Sequence, residues 1–415
     1  MLSRLRSYGT TWADLSRDAR LVLWYTVVDG IGFSIMGLFS NLYILSLGYQ
    51  PDLVGLLLTV NALPAILLSL PVGLVANRLG LKRTLVIGRG GLALSLVALS
   101  LSTSQPGLII ARLLGGCAQV MVNVALYPLL THCCEPDARP MLFSAQRAAQ
   151  TLIGVIGSMV GGWLPAAFAL LLVADPESAL AYRSTMLFST GFMFLALWPL
   201  SRLSDPPTVV VSPDRRSPGV RHSLPRWGRI ILPRVLVMIG AGLFVPFMNV
   251  FFKEEIGVSN AQLGTIFAMA NLITGIATLG GPAVARRLGT VRAIVALRIV
   301  PLPLMLILAF SRSLPLVVLT HWARTAITRM TDPLSYLFVM EQVDEEERPV
   351  MSGLAQTFDR TGSSIMPYFS GLIQVRYGFG PLFVGAGIIY LISALLMYAL
   401  FGHTDARKSD SLQEP

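Results

Sequence analysis

Apolar runs of about twenty residues, the length that crosses the hydrocarbon core of a bilayer as a helix, follow one another along this chain. Short polar segments separate them. Twelve such runs can be counted, at residues 20–46, 53–76, 84–104, 106–131, 141–166, 182–200, 229–252, 262–285, 291–310, 314–339, 350–375 and 380–401. The pattern therefore predicts an all-α membrane protein with twelve transmembrane helices.

One longer polar segment divides these runs into two sets of six. Residues 201–228 are rich in proline and arginine, and such a stretch cannot bury enough apolar surface to fold alone. We therefore expect an N-terminal bundle at 1–200, a cytoplasmic linker at 201–228, a C-terminal bundle at 229–402 and a cytoplasmic tail at 403–415.

The two halves also repeat each other with a constant shift of 209 residues. The repeated pairs are Gly48 and Gly257, Gly55 and Gly264, Arg78 and Arg287, Gly80 and Gly289, Arg83 and Arg292, Arg89 and Arg298, Tyr127 and Tyr336, and Gly162 and Gly371. One ungapped shift over so long a stretch indicates two parallel, pseudo-symmetric six-helix bundles.

Composition agrees with a lipid environment. Hydrophobic residues make up 54% of the chain and charged residues only 13%, whereas soluble domains average about 25% charged residues. The net charge of +10 comes mainly from basic residues in the loops of one side, which the positive-inside rule places in the cytoplasm with both termini. Nucleic-acid binding is therefore not expected. The three cysteines show no metal-ligand spacing, and no nucleophile–base set appears, so neither a cofactor nor an enzyme is predicted.

The basic turn between the second and third runs resembles a family signature. Residues 73–83 read Gly-Leu-Val-Ala-Asn-Arg-Leu-Gly-Leu-Lys-Arg, which is similar to the Gly-x-x-x-Asp-Arg-x-Gly-x-Lys/Arg-Arg motif of the major facilitator superfamily of transporters. Asn77 stands where the family usually has aspartate. The resemblance implies transport by alternating access, with a substrate site between the bundles. It also implies gating loops formed by Gly73, Asn77, Arg78, Gly80, Lys82, Arg83, Arg287, Gly289 and Arg292.

Candidate substrate-binding residues form two polar stripes. Arg112, Gly116, Gln119, Asn123 and Tyr127 share one face of the fourth predicted helix, and the 209-residue shift carries this stripe to the tenth. Charges at bilayer depth are costly, so they face a cavity or a partner. The candidates are Gln119, Asn123, Tyr127, His321, Arg324, Thr328, Asp332 and Tyr336, with Asp359 from the eleventh run. A structural network between helices is the alternative.

A proton-coupling pair is also indicated. Arg112 lies in Arg-Leu-Leu-Gly-Gly, which resembles an Arg-x-x-x-Gly signature linked to proton transfer, and Asp29 is the nearest plausible counter-charge in that fold. A partly desolvated carboxylate beside an arginine can load and release protons. A silent salt bridge is the alternative. Arg89 and Arg298 lie near predicted cytoplasmic helix ends, where snorkelling to the interface is expected.

The transport direction rests on the fifth run. Residues 157–162, Gly-Ser-Met-Val-Gly-Gly, resemble an antiporter signature in which Ser158 replaces proline, although small residues also permit close helix packing. The chain is thus expected to export a drug-like molecule or metabolite in exchange for protons. We expect a monomer in a lipid bilayer, either a bacterial inner membrane or a plasma membrane. Uptake or flipping of an anionic organic substrate or lipid is the second hypothesis, and a non-transporting receptor or scaffold is the third.

Overall fold

The computed structural model describes residues 16–134, 138–205, 220–344 and 347–410. Within these ranges the chain is almost entirely helical, with no β-strand, and one helical segment covers each predicted run. The segments are α1 (Arg17–Ser46), α2 (Pro51–Leu79), α3 (Leu81–Leu101), α4 (Gln105–His132), α5 (Arg139–Leu172), α6 (Ala179–Leu195, continued as Leu197–Ser201), α7 (Val220–Phe244, continued through Val245–Phe247, Met248–Val250 and a π-helical turn at Phe251–Glu255), α8 (Asn260–Thr278 and Gly281–Leu288), α9 (Thr290–Ile299 and Pro301–Phe310), α10 (Leu314–Glu341), α11 (Arg348–Tyr377) and α12 (Gly380–Asp410). The predicted all-α membrane fold is confirmed.

Apolar character is uneven along these segments. Among the described residues, ten helices are long and apolar enough to cross a membrane. The two remaining segments, α10 and α11, have sufficient length but a more polar composition. In α10 the charges of Arg324, Arg329 and Asp332 lie in the middle of the helix, where a bilayer-spanning segment carries charge only at a functional or structural site.

The described residues divide into two compact units. The first contains 16–40 and 63–205, and the second contains 41–62 and 220–410. The end of α1 and the start of α2, which the predicted N-terminal bundle included, therefore group with the second unit. There, Asn41 Nδ2 donates hydrogen bonds to the carbonyl oxygen of Pro246 at 2.8 Å and to Asn249 Oδ1 at 3.2 Å. Half of the predicted linker, residues 206–219, lies outside the described part of the chain, whereas residues 220–228, which the prediction also assigned to the linker, belong to α7.

Each unit has a hydrophobic core built from repeat-related positions. In the first unit the buried cluster includes Val22, Leu85, Ala125, Leu129 and Leu142. In the second unit it includes the residues 209 positions later, Ile231, Ile294, Leu334, Phe338 and Met351. The internal repeat read from the sequence therefore extends to the packing of the helices.

The two basic turns share one backbone conformation. Gly80 joins α2 to α3 with φ 86° and ψ 148°, and Gly289 joins the two corresponding helices with φ 84° and ψ 157°. That region of backbone space is open almost only to glycine. Each glycine also donates its N–H to the equivalent carbonyl, Ala76 in one turn and Ala285 in the other, at 2.9 Å in both. The repeat thus preserves the geometry of the turn.

Candidate functional site

A cavity of about 340 Å³ lies within the first unit, between α1, α3, α4 and α5. This volume is at the lower end of the range for small-molecule sites. Its lining consists of Tyr25, Thr26, Asp29, Gly30, Phe33, Ser34, Arg89, Gln119, Val122, Asn123, Leu126, Tyr127, Gln146 and Gln150. Four residues singled out in the sequence, Asp29, Gln119, Asn123 and Tyr127, are brought together in this one cavity.

An ion pair between Asp29 and Arg89 forms part of the cavity wall. Arg89 is only 2% exposed, and its guanidinium lies 6.0 Å from the centre of the Tyr25 ring. The expectation that Arg89 snorkels was wrong, because Arg89 lies about two turns inside α3 and its charge is buried. The carboxylate of Asp29 compensates the buried charge of Arg89.

The expected pairing of Asp29 with Arg112 is corrected by this geometry. Arg112 is buried on α4 and does not line the cavity, and its Nε and one terminal nitrogen have no hydrogen-bond partner among the described residues. The Arg-x-x-x-Gly resemblance led to the wrong arginine. The signal that could have found the right one was the repeat, because Arg89 recurs as Arg298 whereas Arg112 does not recur as a cation.

Four amide side chains are among the polar residues that line the cavity. On α4, Gln119 Nε2 donates to Asn123 Oδ1 at 3.1 Å, one helical turn away. Gln146 and Gln150 present two further amides from α5. Tyr127 is half-exposed and stacks on Phe143, with ring centroids 6.5 Å apart. Amides both donate and accept hydrogen bonds, so the cavity can orient a small polar ligand.

The predicted polar stripe on α10, in the second unit, lines a cavity only in part. Thr328 and Asp332 line a small cavity of about 20 Å³. Asp332 Oδ2 accepts a hydrogen bond from Arg329 Nη1 at 3.2 Å, and both side chains are about half exposed. Tyr336, further along α10, is 45% exposed and does not line this cavity.

His321 and Arg324 are packed among aromatic rings. The imidazole of His321 is 4% exposed and lies 5.3 Å from the ring of Phe252 and 6.1 Å from that of Phe267, measured between centroids. The guanidinium of Arg324 lies 4.8 Å from the centre of the Phe244 ring. These residues therefore do not join Thr328 and Asp332 at one cavity, because aromatic side chains of α7 fill the space beside them. The side chain of Asp359 lies outside the described residues, although its backbone belongs to α11.

The predicted gating residues lie at the surface of each unit. In the first turn Asn77, Arg78 and Arg83 are exposed and Lys82 is partly so. In the second turn Arg287 and Arg292 are exposed. Gly73 lies one turn before Asn77 on α2 and is partly buried.

Comparison with models of protein families identifies the family of this chain. The model of the Major Facilitator Superfamily matches residues 22–328 and 230–415, which together cover nearly the whole chain. The chain belongs to the major facilitator superfamily. It is accordingly a multi-pass membrane transporter, and not an enzyme.

Relatives of this superfamily member are distant. The uncharacterised membrane protein YJR124C of Saccharomyces cerevisiae is 21% identical over 436 residues, covering 94% of this chain and 96% of its own length. A bacterial homologue of the human lysosomal transporter Spinster, in an inward-facing unoccupied conformation, gives a TM-score of 0.75 at 14% identity, covering 94% of this chain and 97% of the other. The nucleoside transporter NupG gives 0.73 at 13% identity, covering 92% and 99%. At these identities the solved structures establish the fold alone.

Proposed function

We propose that this superfamily member is a proton-coupled secondary transporter that exports a small polar metabolite by alternating access. The observation that carries this proposal is the Asp29–Arg89 ion pair on the wall of a cavity rich in amides. Asp29 is the proposed proton-binding group and Arg89 its partner. Gln119, Asn123 and Tyr127 are the proposed ligands of the substrate.

Proton movement and substrate transport would be coupled because the proton and the substrate compete for the Asp29–Arg89 ion pair. Protonation of Asp29 removes the charge that compensates Arg89, and a buried arginine without its carboxylate is destabilised by a few kcal/mol. A hydroxyl or amide group of the substrate can donate to the ionised carboxylate of Asp29, and protonation of Asp29 removes that acceptor. Proton and substrate then favour different states of the pair, which is the differential interaction that an alternating-access equilibrium requires.

The export direction rests on the small residues of α5. Gly157 lies against Ser34 and Gly161 against Ile35, so that α5 and α1 pack closely beside the cavity. This packing accounts for the small residues structurally, and it holds Asp29 and the α5 amides on one wall. The antiporter resemblance of the same run favours export over uptake.

The substrate class is proposed from the lining. Four amides and one ion pair line the cavity, which suits an uncharged or zwitterionic solute with several hydroxyl or amide groups. Two proteins of similar fold are named for polar solutes, NupG for nucleosides and another as a D-xylose–proton symporter. A second candidate, transport of an organic anion, is supported by the buried arginines Arg298 and Arg324 in the second unit.

The test is a substrate screen in sealed inside-out vesicles with an acidic lumen. A substrate added to the medium should enter the lumen and release luminal protons, because import into such vesicles corresponds to export from the cell. Flux indifferent to the pH gradient would argue for a uniporter or flippase, and preferential movement of organic anions would favour the second candidate. No flux of any compound, against a positive control transporter, would support a non-transporting receptor.

Membrane orientation gives a separate prediction. With both termini in the cytoplasm, a cysteine replacing exposed Ser204 should resist a membrane-impermeant thiol reagent in intact cells. A cysteine replacing exposed Ser313, between α9 and α10, should react. The measurement requires a background in which Cys117, Cys133 and Cys134 are replaced, and detergent-opened cells serve as the control for reactivity. Labelling of position 204 from outside would reverse the proposed topology.

A further inference from the structure

Four amide side chains in the cavity of the first unit have no counterpart in the second. They are Gln119 and Asn123 on α4 and Gln146 and Gln150 on α5. The positions 209 residues later carry no amide and hold Thr328, Asp332, Ala355 and Asp359. The two units nevertheless share their core positions and the conformation of their basic turns. The shared fold therefore does not require the amides, and their role is specific to the cavity of the first unit.

The most buried of these amides has no hydrogen-bond partner in the protein. Gln146 is 4% exposed and lines the cavity, yet it makes no hydrogen bond to any described residue. Its amide atoms are not among the fully enclosed polar atoms, so they open onto the cavity. A buried amide without hydrogen bonds is destabilising, so its partner is water or a ligand. A ligand that displaces the water must offer both a donor and an acceptor to this side chain.

An aromatic ring stands on the same cavity wall. Tyr127 lines the cavity, is 55% exposed and lies parallel to Phe143, with 6° between the ring planes. Phe143 covers one face of the Tyr127 ring and does not itself line the cavity, so the opposite face is uncovered. Such a face favours a flat ring, because stacking on an aromatic side chain contributes to binding without selecting a particular ring.

The edge of the ligand follows from the geometry of a primary amide. Glutamine presents a carbonyl oxygen and an N–H side by side, so two parallel hydrogen bonds form when the ligand has an N–H beside a C=O on one edge. An open-chain secondary amide is trans, and its N–H and C=O point in opposite directions. Within a small ring the same amide is forced to be cis, so both groups lie on one edge.

We propose that the cavity of the first unit recognises a planar cyclic amide, the kind of ring found in oxygenated nucleobases. The amide of Gln146 pairs with the N–H and C=O edge, and the ring stacks on Tyr127. Gln119 and Asn123, joined by a hydrogen bond of 3.1 Å, offer further donors and acceptors to the other edges. This inference rests on the proposed function, because it names the substrate class of the same cavity.

The direct test compares ligands on the unaltered protein. Equilibrium dialysis of purified full-length protein in detergent micelles should show saturable binding of uracil or of its nucleoside uridine, the two probes separating a free ring from one that carries a sugar. Dihydrouracil keeps the N–H and C=O edges but has a puckered ring without an aromatic face. Dimethyluracil is flat, but both of its ring N–H groups are methylated. Each should bind about tenfold more weakly than uracil or worse. No saturable binding of uracil or uridine, or equal affinity for dihydrouracil, would overturn the proposal.

Substitutions then locate the binding in this cavity. Gln146→Met keeps the size of the side chain but removes its hydrogen bonds, and it should weaken uracil binding about tenfold. Gln105→Met is the matched control, since Gln105 is exposed at the start of α4 and does not line the cavity. Tyr127→Leu removes the stacking face at a half-exposed position, without emptying a packed core, and should weaken binding more than Tyr127→Phe does. If Gln146→Met and Tyr127→Leu both bind uracil like Gln105→Met, the ring binds elsewhere and the proposal fails.

Failure of this proposal is distinguishable from failure of the proposed function. Dialysis measures binding at equilibrium, without a membrane, a pH gradient or a direction of transport. Uracil binding that depends on Gln146, without proton-driven flux in vesicles, would refute only the proton-coupled export. Proton-driven flux of a sugar, without binding of uracil or uridine, would refute only the substrate class proposed here.

Discussion

Replacing Asp29 with asparagine is expected to abolish proton-driven flux of the transported substrate. Asparagine keeps the hydrogen-bonding oxygen but cannot bind and release a proton in the physiological range. The substitution also leaves Arg89 buried without its carboxylate, which should destabilise the folded protein by about 3 kcal/mol. The measurement is substrate-dependent proton release in vesicles, normalised to the amount of inserted protein.

A double variant distinguishes lost coupling from lost folding. Combining Asp29→Asn with Arg89→Gln removes both charges, so most of the stability should return while proton-driven flux stays absent. Asp175→Asn is a matched control, because Asp175 lies in the exposed segment between α5 and α6, far along the chain from the cavity-lining residues. Proton-driven flux at the wild-type rate in either cavity variant would refute the role proposed for Asp29.

Replacing Gly371 with valine is expected to produce a large loss of stability in the second unit. A Cβ atom at this position of α11 would overlap the carbonyl oxygen of Pro51 and approach the Cα of Asp52 to 2.8 Å. Because the obstacles are backbone atoms, no change of side-chain rotamer relieves the overlap. The expected cost is about 3 kcal/mol or more, seen as a lower midpoint of thermal unfolding and less correctly inserted protein.

Two other glycines provide a parallel test and a control for this prediction. Gly55, on α2, approaches the backbone of Pro367 and Tyr368 in the same way, so Gly55→Val should have a similar effect. Gly385 lies within α12 with nothing within 4 Å of an added Cβ, and Gly385→Val should change the midpoint little. If valine at 371 and at 385 lowers the midpoint equally, the close approach of α2 and α11 does not limit stability.

Sequence by itself determined the class of fold, the helical segments and the internal repeat. These properties depend on local composition, because a helix that crosses a bilayer must be apolar over its whole length and must satisfy its own backbone. The basic turns were equally readable, since Gly80 and Gly289 occupy a backbone conformation that other residues rarely adopt. Three residues of the predicted stripe on α4, Gln119, Asn123 and Tyr127, line one cavity, because helical periodicity fixes which side chains share a face, but Arg112 does not line it.

Only the tertiary structure decided which side chains meet across helices. Asp29 pairs with Arg89 and not with Arg112, although both arginines lie in long apolar helices. His321 shares the predicted stripe with Asp332 but packs between phenylalanines. Periodicity gives the direction of a side chain about its own helix axis. It does not give the rotation, depth and neighbours of that helix within the bundle, and the partner of a buried charge depends on all three.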